Sequence, residues 1–285
     1  MKKLLSLMLG LSLFFVSLMP SASAETVRIM AANITSGNCQ CYDSGEGIRI
    51  LQGLKPDIVL IQEWNYRDNS DTSIRQFVDD VFGEEFSYFR ERNSGIPNGV
   101  ISRFPIIDSG ELDDNVAPDR DFAYAIIDIP GDINLSAVSV HLLTNDSSRP
   151  REVEDLINDI NGVIAPEDYL VIGGDFNTDR HNETALRTLN PVVNTNPPYP
   201  VDQDGKTGTN ASRRKPYDGV YFDSDLTPLE VPVIIGENTF DHGLVFDSRV
   251  YQPLADVSPV ERNDSGVTGM QHMAVIRDFN LPESL

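Results

Sequence analysis

"LVIGGDFNTD", residues 170–179, is the stretch on which the reading of the fold turns. With Tyr169 ahead of it, 170–172 is an apolar run of the kind that forms a buried strand. Gly173 and Gly174 follow, and Asp175 and Asn177 stand where the strand gives way to a turn. Gly, Asp and Asn are ordinary turn formers. An acid and an amide here therefore suit a plain strand-to-helix turn as well as a metal or phosphate site. The neighbouring sequence has to separate the two.

Upstream, a strand is expected at 27–32, ending at Asn33, and a helix at 48–54, broken by Lys55-Pro56. A buried strand at 58–61 runs into Gln62-Glu63-Trp64. Residues 73–82 carry Ile74, Phe77, Val78 and Val81 at helical spacing, and 86–90 and 99–102 read as strands. Strands at 122–129 and 135–140 are joined across Pro130-Gly131 as a hairpin, the second ending at His141. An amphipathic helix at 151–164 shows Val153, Leu156, Ile157, Ile160 and Val163 on one face. Beyond the opening stretch, 194–208 is a polar Pro/Gly-rich surface loop, and strands are expected at 220–222, 231–235, 244–251 and 273–279. There is no internal repeat and no long linker. Hairpins mixed with a few helices indicate sheets packed together with helices outside.

Residues 1–24 read as a leader. Lys2 and Lys3 start it, 4–19 is almost wholly apolar, and Ser21-Ala22-Ser23-Ala24 offers a small-residue cleavage site. This predicts an exported protein, secreted or periplasmic, with no stable membrane anchor after cleavage and one domain over 25–285. About 260 residues suit one large α/β domain or two small ones. The formal net charge is −22, and removal of two lysines takes it two units lower. Such a surface repels polyanions at long range, which argues against a protein that coats nucleic acid. It leaves room for a nuclease with a local basic patch. The only cysteines, Cys39 and Cys41, are separated by one residue. A disulfide between such close neighbours is strained, so no stapling framework is expected.

Polar residues recur where apolar strands stop: Asn33, Glu63, His141, Asp175, Asn177 and Asp218. Each alone has a structural reading as a turn former, a solvated strand end or a satisfied core histidine. Six together point to loops at one sheet edge, where sites are assembled. Glu63 suits a hard divalent cation, Mg²⁺ or Mn²⁺, with oxygen ligands. Asn33 and Asn177 can orient ligands or hold a phosphoryl oxygen without adding negative charge. Asp175 can orient or deprotonate an attacking water. A histidine paired with an aspartate stays protonated and stabilises charge developing on phosphorus. Arg213, Arg214 and Lys215 supply positive charge for a substrate phosphate. A Gly-x-Ser-x-Gly elbow, a Walker loop and a His-Glu-x-x-His helix are all absent from the sequence.

In this order the motifs resemble the endonuclease/exonuclease/phosphatase superfamily. They are "AAN" at 31–33, "DIVLIQE" at 57–63, "NGVISRFPI" at 98–106, "VSVHL" at 138–142, "GGDFN" at 173–177 and "YDGVYF" at 217–222. Relatives there include pancreatic-type deoxyribonucleases, apurinic endonucleases, neutral sphingomyelinases and inositol polyphosphate 5-phosphatases. The resemblance implies a four-layer α/β/β/α sandwich, two packed mixed sheets flanked by helices, with a metal-dependent phosphoesterase site in the loops at one end. Asp175 and Asn177 would then hold a water and a phosphoryl oxygen.

The family's closing Ser-Asp-His has two candidates. Asp241-His242 keeps the acid, whereas Gln271-His272 immediately precedes a convincing final strand. Topology favours His272. The family's pairing would set it beside Asp218 and leave His141 to contact phosphate, with Gln271 facing the metal side as a neutral amide. The expected activity is hydrolysis of phosphodiesters, with nucleic acid among the substrates. A phosphomonoesterase, a sphingomyelinase-type phospholipase and a catalytically weakened binding protein are the alternatives. Oligomeric state has no sequence signal.

Overall fold

The computed structural model describes residues 24–92 and 94–282. The expected leader lies outside the described residues except for Ala24, which opens the first strand. In chain order the first elements are β1 (Ala24–Ala32), α1 (Glu46–Leu54), β2 (Ile58–Ile61), α2 (Asp71–Val81), β3 (Ser87–Arg90), β4 (Gly99–Ser102), β5 (Ile106–Leu112), β6 (Phe122–Ile127) and β7 (Leu135–His141). They are followed by α3 (Arg149–Val163), β8 (Tyr169–Asp175), α4 (Thr184–Leu189), β9 (Asp218–Phe222), β10 (Glu230–Val231), β11 (Val233–Ile235), β12 (Asn238–Phe240), β13 (Leu244–Phe246) and β14 (Ala274–Pro282).

Period-two alternation sorts these strands into layers. Val27, Ile29, Ile58 and Leu60 point into a core shared with Ala137, Val171 and Val220. Their neighbours Met30, Val59 and Ile61 point the other way, onto Ile50, Leu51 and Leu54 of α1 and Ile74 and Phe77 of α2. On the far side Val138, Val140, Leu170 and Ile172 meet Val153, Leu156 and Ile160 of α3 and Leu186 and Leu189 of α4. The result is helices, sheet, sheet, helices. Each such aliphatic, fully buried, contributes about 1.5–3 kcal/mol. Among the described residues the first sheet runs β10-β14-β1-β2-β4-β3, with β13 also on β14, and the second runs β5-β6-β7-β8-β9.

This topology gathers the strand ends. β1 and β2 are parallel, with Ala32 opposite Ile61, so Asn33 and Glu63 leave the same edge. β7 and β8 are parallel, with His141 opposite Asp175. β9 is antiparallel to β8 and starts with Asp218 opposite Asp175. β14 is antiparallel to β1, with Val275 opposite Ala31, which brings its start, and His272 just before it, to that edge too.

The two glycines of "LVIGGD" let the sheets approach at this end. A Cβ on Gly173 would lie 2.6 Å from Leu60 Cδ1, and one on Gly174 would lie 2.1 Å from the Val140 carbonyl and 2.6 Å from Gln62 Nε2. Gly174 also has φ +141°, which side chains on L-residues rarely adopt. Through the space they leave, Gln62 Nε2 donates to Ser139 Oγ at 2.8 Å, and Ser139 Oγ donates to the Ile61 carbonyl at 3.0 Å. All of this is buried, so the first sheet is hydrogen-bonded to the second directly beneath the strand ends.

Several sequence expectations need correction. β5 has no clear sequence pattern: Asp108, Glu111 and the exposed Ile107 make it an edge strand without clean alternation. The six-residue α4 is too short to show a period. Pro232 lacks an N–H, and the strand expected over 231–235 is split there into β10 and β11. The strand expected over 244–251 stops at Phe246, because Asp247 turns the chain: its side chain accepts from Arg249 N and its carbonyl from Tyr251 N. Cys39 and Cys41 do form a disulfide. Backbone hydrogen bonds in both directions between Ser36 and Cys41 fold the loop back on itself, and the two Cα atoms sit 5.3 Å apart, within the usual range.

Gly174→Ala is expected to destabilise the protein by about 3 kcal/mol, combining overpacking with a strained backbone. Denaturant unfolding measures it, and a parental midpoint would contradict the role assigned to this glycine.

Candidate active site

Asp175 Oδ2 is the centre of the gathered strand ends. Asn33 Nδ2 lies 3.1 Å from it, Asn177 Nδ2 3.3 Å, His141 Nε2 3.3 Å and His272 Nε2 3.5 Å. The other carboxylate oxygen accepts the Asn177 backbone N–H at 2.8 Å. Asp175 is 1% exposed. Burial is the main reason that its carboxyl is pushed up to about 7, with the Asp218 charge adding to the shift and His272 opposing it.

The two histidines divide into a neutral and a charged one. His272 Nδ1 lies 3.1 Å from Asp218 Oδ2. Burial alone would lower the His272 pKa, but the Asp218 and Asp175 carboxylates outweigh it and raise it to about 10. His141 is driven well below its ordinary value by burial, then by the positive charges of Arg120 and His272. At neutral pH a neutral imidazole and an imidazolium thus flank one carboxylate. Thr209 Oγ1 accepts the Asp218 N–H at 2.8 Å, and the Thr209 carbonyl accepts the Met273 N–H at 2.7 Å. Both sides of the His272–Asp218 pair are therefore pinned by one loop.

Glu63 and Asn177 both have left-handed backbones, φ +50° and +52°. For residues other than glycine this carries strain, and such strain gathers at functional sites. Glu63 Oε1 is 3.4 Å from Asn33 Nδ2, and Thr35 Oγ1 donates to Glu63 Oε2 at 2.9 Å. Asn177 Nδ2 donates to the Leu142 carbonyl at 2.8 Å as well as to Asp175. Its amide protons are thereby engaged within the protein. It contacts Asp175 here; the sequence reading gives it ligand orientation or a phosphoryl oxygen.

The structure brings Asn33, Glu63, His141, Asp175, Asn177, Asp218 and His272 together. It does not bring Arg213 with them as a free cation. Arg213 bonds Asp202 at 2.8 Å and Asp247 at 3.0 Å, and its side chain is 8% exposed. That correction has a simple cause: two buried carboxylates hold the guanidinium. Arg214 is exposed and donates to Ser212. Gln271 has an exposed side chain, and its carbonyl accepts from Ala211 N. His242, 3.9 Å from Glu230, and Asp241 are both exposed and line a separate cavity of about 520 Å³ with Tyr199 and Phe240.

Two residues escaped the sequence reading. Thr35 lies two positions beyond Asn33 and fastens Glu63. Arg120 sits between Asp119 and Asp121, where an arginine reads as a solvated surface charge. It is instead 11% exposed and paired with Asp119 at 3.1 Å, and its charge pulls the pKa of both His141 and Glu152 down. Glu152 is pushed up to about 8 by burial first, then by Asp114.

The donor set fits a hard divalent cation. Asn33 Oδ1 and Asp218 Oδ1 are buried without a hydrogen-bond partner, as acceptors awaiting a cation or a water would be. Asp175, Asp218 and His272 offer ligand atoms within 4.8 Å of one another. Oxygen donors from Asn33 and Glu63 suit magnesium or manganese chemistry rather than a soft metal.

No curated protein matches the chain. Among solved structures, an endonuclease/exonuclease/phosphatase from Bacteroides vulgatus is 16% identical, with a TM-score of 0.58 over 90% of this chain and 99% of that one. TDP2 from D. rerio, complexed with single-strand DNA product, is 14% identical with a TM-score of 0.58 over 90% and 99%. Beta toxin from Staphylococcus aureus is 13% identical with a TM-score of 0.52 over 88% and 99%. At these identities the likeness is one of fold. The model of the Endonuclease/Exonuclease/phosphatase family matches residues 46–240, which hold most of the strand ends just described. With that match over more than half its length, the chain belongs to the endonuclease/exonuclease/phosphatase family.

Proposed function

We propose that this chain is an exported hydrolase of phosphodiesters that works with bound Mg²⁺ or Mn²⁺. The observation that carries the reading is the buried Asp175 carboxylate with His141 Nε2 at 3.3 Å and His272 Nε2 at 3.5 Å from the same oxygen. Glu63 and the Asn33 amide oxygen would hold the cation, with Thr35 fixing the Glu63 rotamer. When bound, the ion draws electron density from a phosphoryl oxygen. A protonated His272 binds metal poorly, so the Asp175–Asp218–His272 group is assigned to proton and phosphate work.

Asp175, with its raised pKa, takes the proton from the attacking water. Its two asparagine donors keep the receiving oxygen oriented. The His272 imidazolium, anchored by Asp218, stabilises the negative charge that grows on the phosphoryl oxygens. His141, neutral and with Nε2 3.3 Å from Asp175, can offer a hydrogen bond without adding charge. Arg120, whose charge reaches His141, adds positive potential there although its guanidinium is paired with Asp119 at 3.1 Å. The D. rerio TDP2 structure with its single-strand DNA product makes single-stranded DNA the first natural polymer to test. The formal charge of −22 means that such a substrate approaches against repulsion that salt screens.

The direct test is hydrolysis of bis-p-nitrophenyl phosphate with added Mg²⁺ or Mn²⁺ and with EDTA. Turnover abolished by EDTA and restored by either ion is expected; none under any condition would sink the reading. Export is checked by N-terminal sequencing of the protein recovered outside the cytoplasm, which should begin at Glu25.

Glu63→Gln should remove most metal-dependent turnover while leaving the thermal unfolding temperature near that of the parent. Calorimetric titration with Mg²⁺ is the check, and parental affinity would exclude Glu63 as a ligand. Asp175→Asn should lower kcat by roughly 10²-fold or more, as for loss of a proton acceptor. An effect confined to KM would make Asp175 a binding residue only.

The pH profile of kcat/KM should be bell-shaped. Asp175 must be ionised, so the rate rises through about 7. His272 must be protonated, so the rate falls above about 10. Stability should follow the histidine in the same sense. Its folded pKa lies above its unfolded value, so its contribution is complete below about 6.5 and is lost as pH rises through about 10. In His272→Ala, the alkaline limb of any residual activity should vanish.

A further inference from the structure

We propose that the Cys39–Cys41 disulfide is a thiol-exchange site, and that its cleavage by an external dithiol loosens the seam joining the Glu63 half of the active site to the His272 half. The disulfide closes a loop with a single residue between its ends. Closing so short a loop removes little entropy from the unfolded chain and contributes little to global stability. Its effect is therefore local, and the loop that it closes touches both halves of the site.

The loop begins at Thr35, which bonds Glu63 at 2.9 Å. It ends at Tyr42, whose hydroxyl donates to the Ala32 carbonyl at 3.0 Å, one residue before Asn33. Its tip reaches the segment that leads to His272. Gly37 N donates to the Thr268 carbonyl at 2.8 Å, and Gln40 Nε2 donates to the Gly269 carbonyl at 3.3 Å. The two loops meet backbone to backbone: Gly269 has φ +88°, and a Cβ there would lie 2.3 Å from the Gly37 carbonyl oxygen. From Gly269 the chain runs through Met270 and Gln271 directly to His272. The disulfide holds the tip in the folded-back shape, Ser36 against Cys41, that makes this contact possible.

Access decides where exchange starts. Cys39 is exposed, whereas Cys41 is 4% exposed. Exposed disulfides are the labile ones. A thiolate of the dithiol attacks Cys39 Sγ, the Cys39–Cys41 bond breaks, and Cys41 leaves as a thiolate that takes a proton. The second thiol of the reductant then attacks the mixed disulfide and releases Cys39. Two electrons pass to the protein, which ends with two thiols, and the reductant ends as a disulfide.

The test uses the full mature chain, oxidised or reduced with dithiothreitol, with the thiol count verified by alkylation and mass spectrometry. Hydrogen exchange over 35–42 and 266–273 reads the seam directly, and kcat/KM on bis-p-nitrophenyl phosphate reads its effect on the site. Reduction should speed exchange in both segments and lower kcat/KM roughly five- to tenfold, as for one or two lost hydrogen bonds, and reoxidation should reverse both. The Cys39→Ser/Cys41→Ser variant should match the reduced parent and ignore reductant. Unchanged exchange and unchanged kcat/KM in verified reduced parent would overturn the inference. The activity arm rests on the phosphodiesterase reading. If the oxidised parent shows no hydrolysis, that reading fails, while the exchange data still decide the seam.

Discussion

The buried Asp175 carboxylate is the constraint around which this molecule is arranged. A carboxylate taken almost wholly out of water is tolerated only if donors replace the lost hydration. Here they come from the ends of β1 and β7, from the turn after β8 and from the approach to β14. Every one of those segments must arrive at the same edge. The parallel pairing of β1 with β2 and of β7 with β8, and the antiparallel return of β9 and β14, satisfy that demand. The polar contact of Gln62 with Ser139 then fixes the distance between the two sheets that share the donors.

Charge is distributed on the same logic. The surface is strongly acidic, yet the chemistry proposed needs positive charge at one point. The His272 imidazolium, kept by two carboxylates, and the mostly buried Arg120 supply it from inside. Arg213 shows the other use of a cation. Held by Asp202 and Asp247, it braces the loop whose Thr209 pins Asp218 and Met273. Arg120 sits between two aspartates and Arg213 opens a basic run, and only their burial and partners in the fold tell one task from the other.

That contrast explains what could be read from residue order. Strands with clean alternation or unbroken apolar runs, such as β2, β4 and β8, declare themselves, because burial on one or both faces leaves a local pattern. The edge strand β5 and the short α4 carry weak patterns and were invisible. The polar strand ends were legible as a set, since apolar runs that stop at Asn, Glu, His or Asp are uncommon in such number. The fastening of Glu63 by Thr35, and the burial of Arg120, depend on contacts between distant segments that no local spacing records. The Cys39–Cys41 bond has no local signal for a related reason. The backbone pairing of Ser36 with Cys41, which accompanies a Cα separation of 5.3 Å between the cysteines, is a property of the folded loop.

The pairing of β1 with β14 joins opposite ends of the chain, from Ala24 against Pro282 to Ala31 against Val275. During synthesis the ribosome delivers Asn33, Glu63, His141 and Asp175 well before His272. Until β14 is released and inserts beside β1, the first sheet has a gap next to its founding strand, and the buried carboxylate lacks one of its donors. The group of side chains around Asp175 is therefore complete only once β14 has paired with β1.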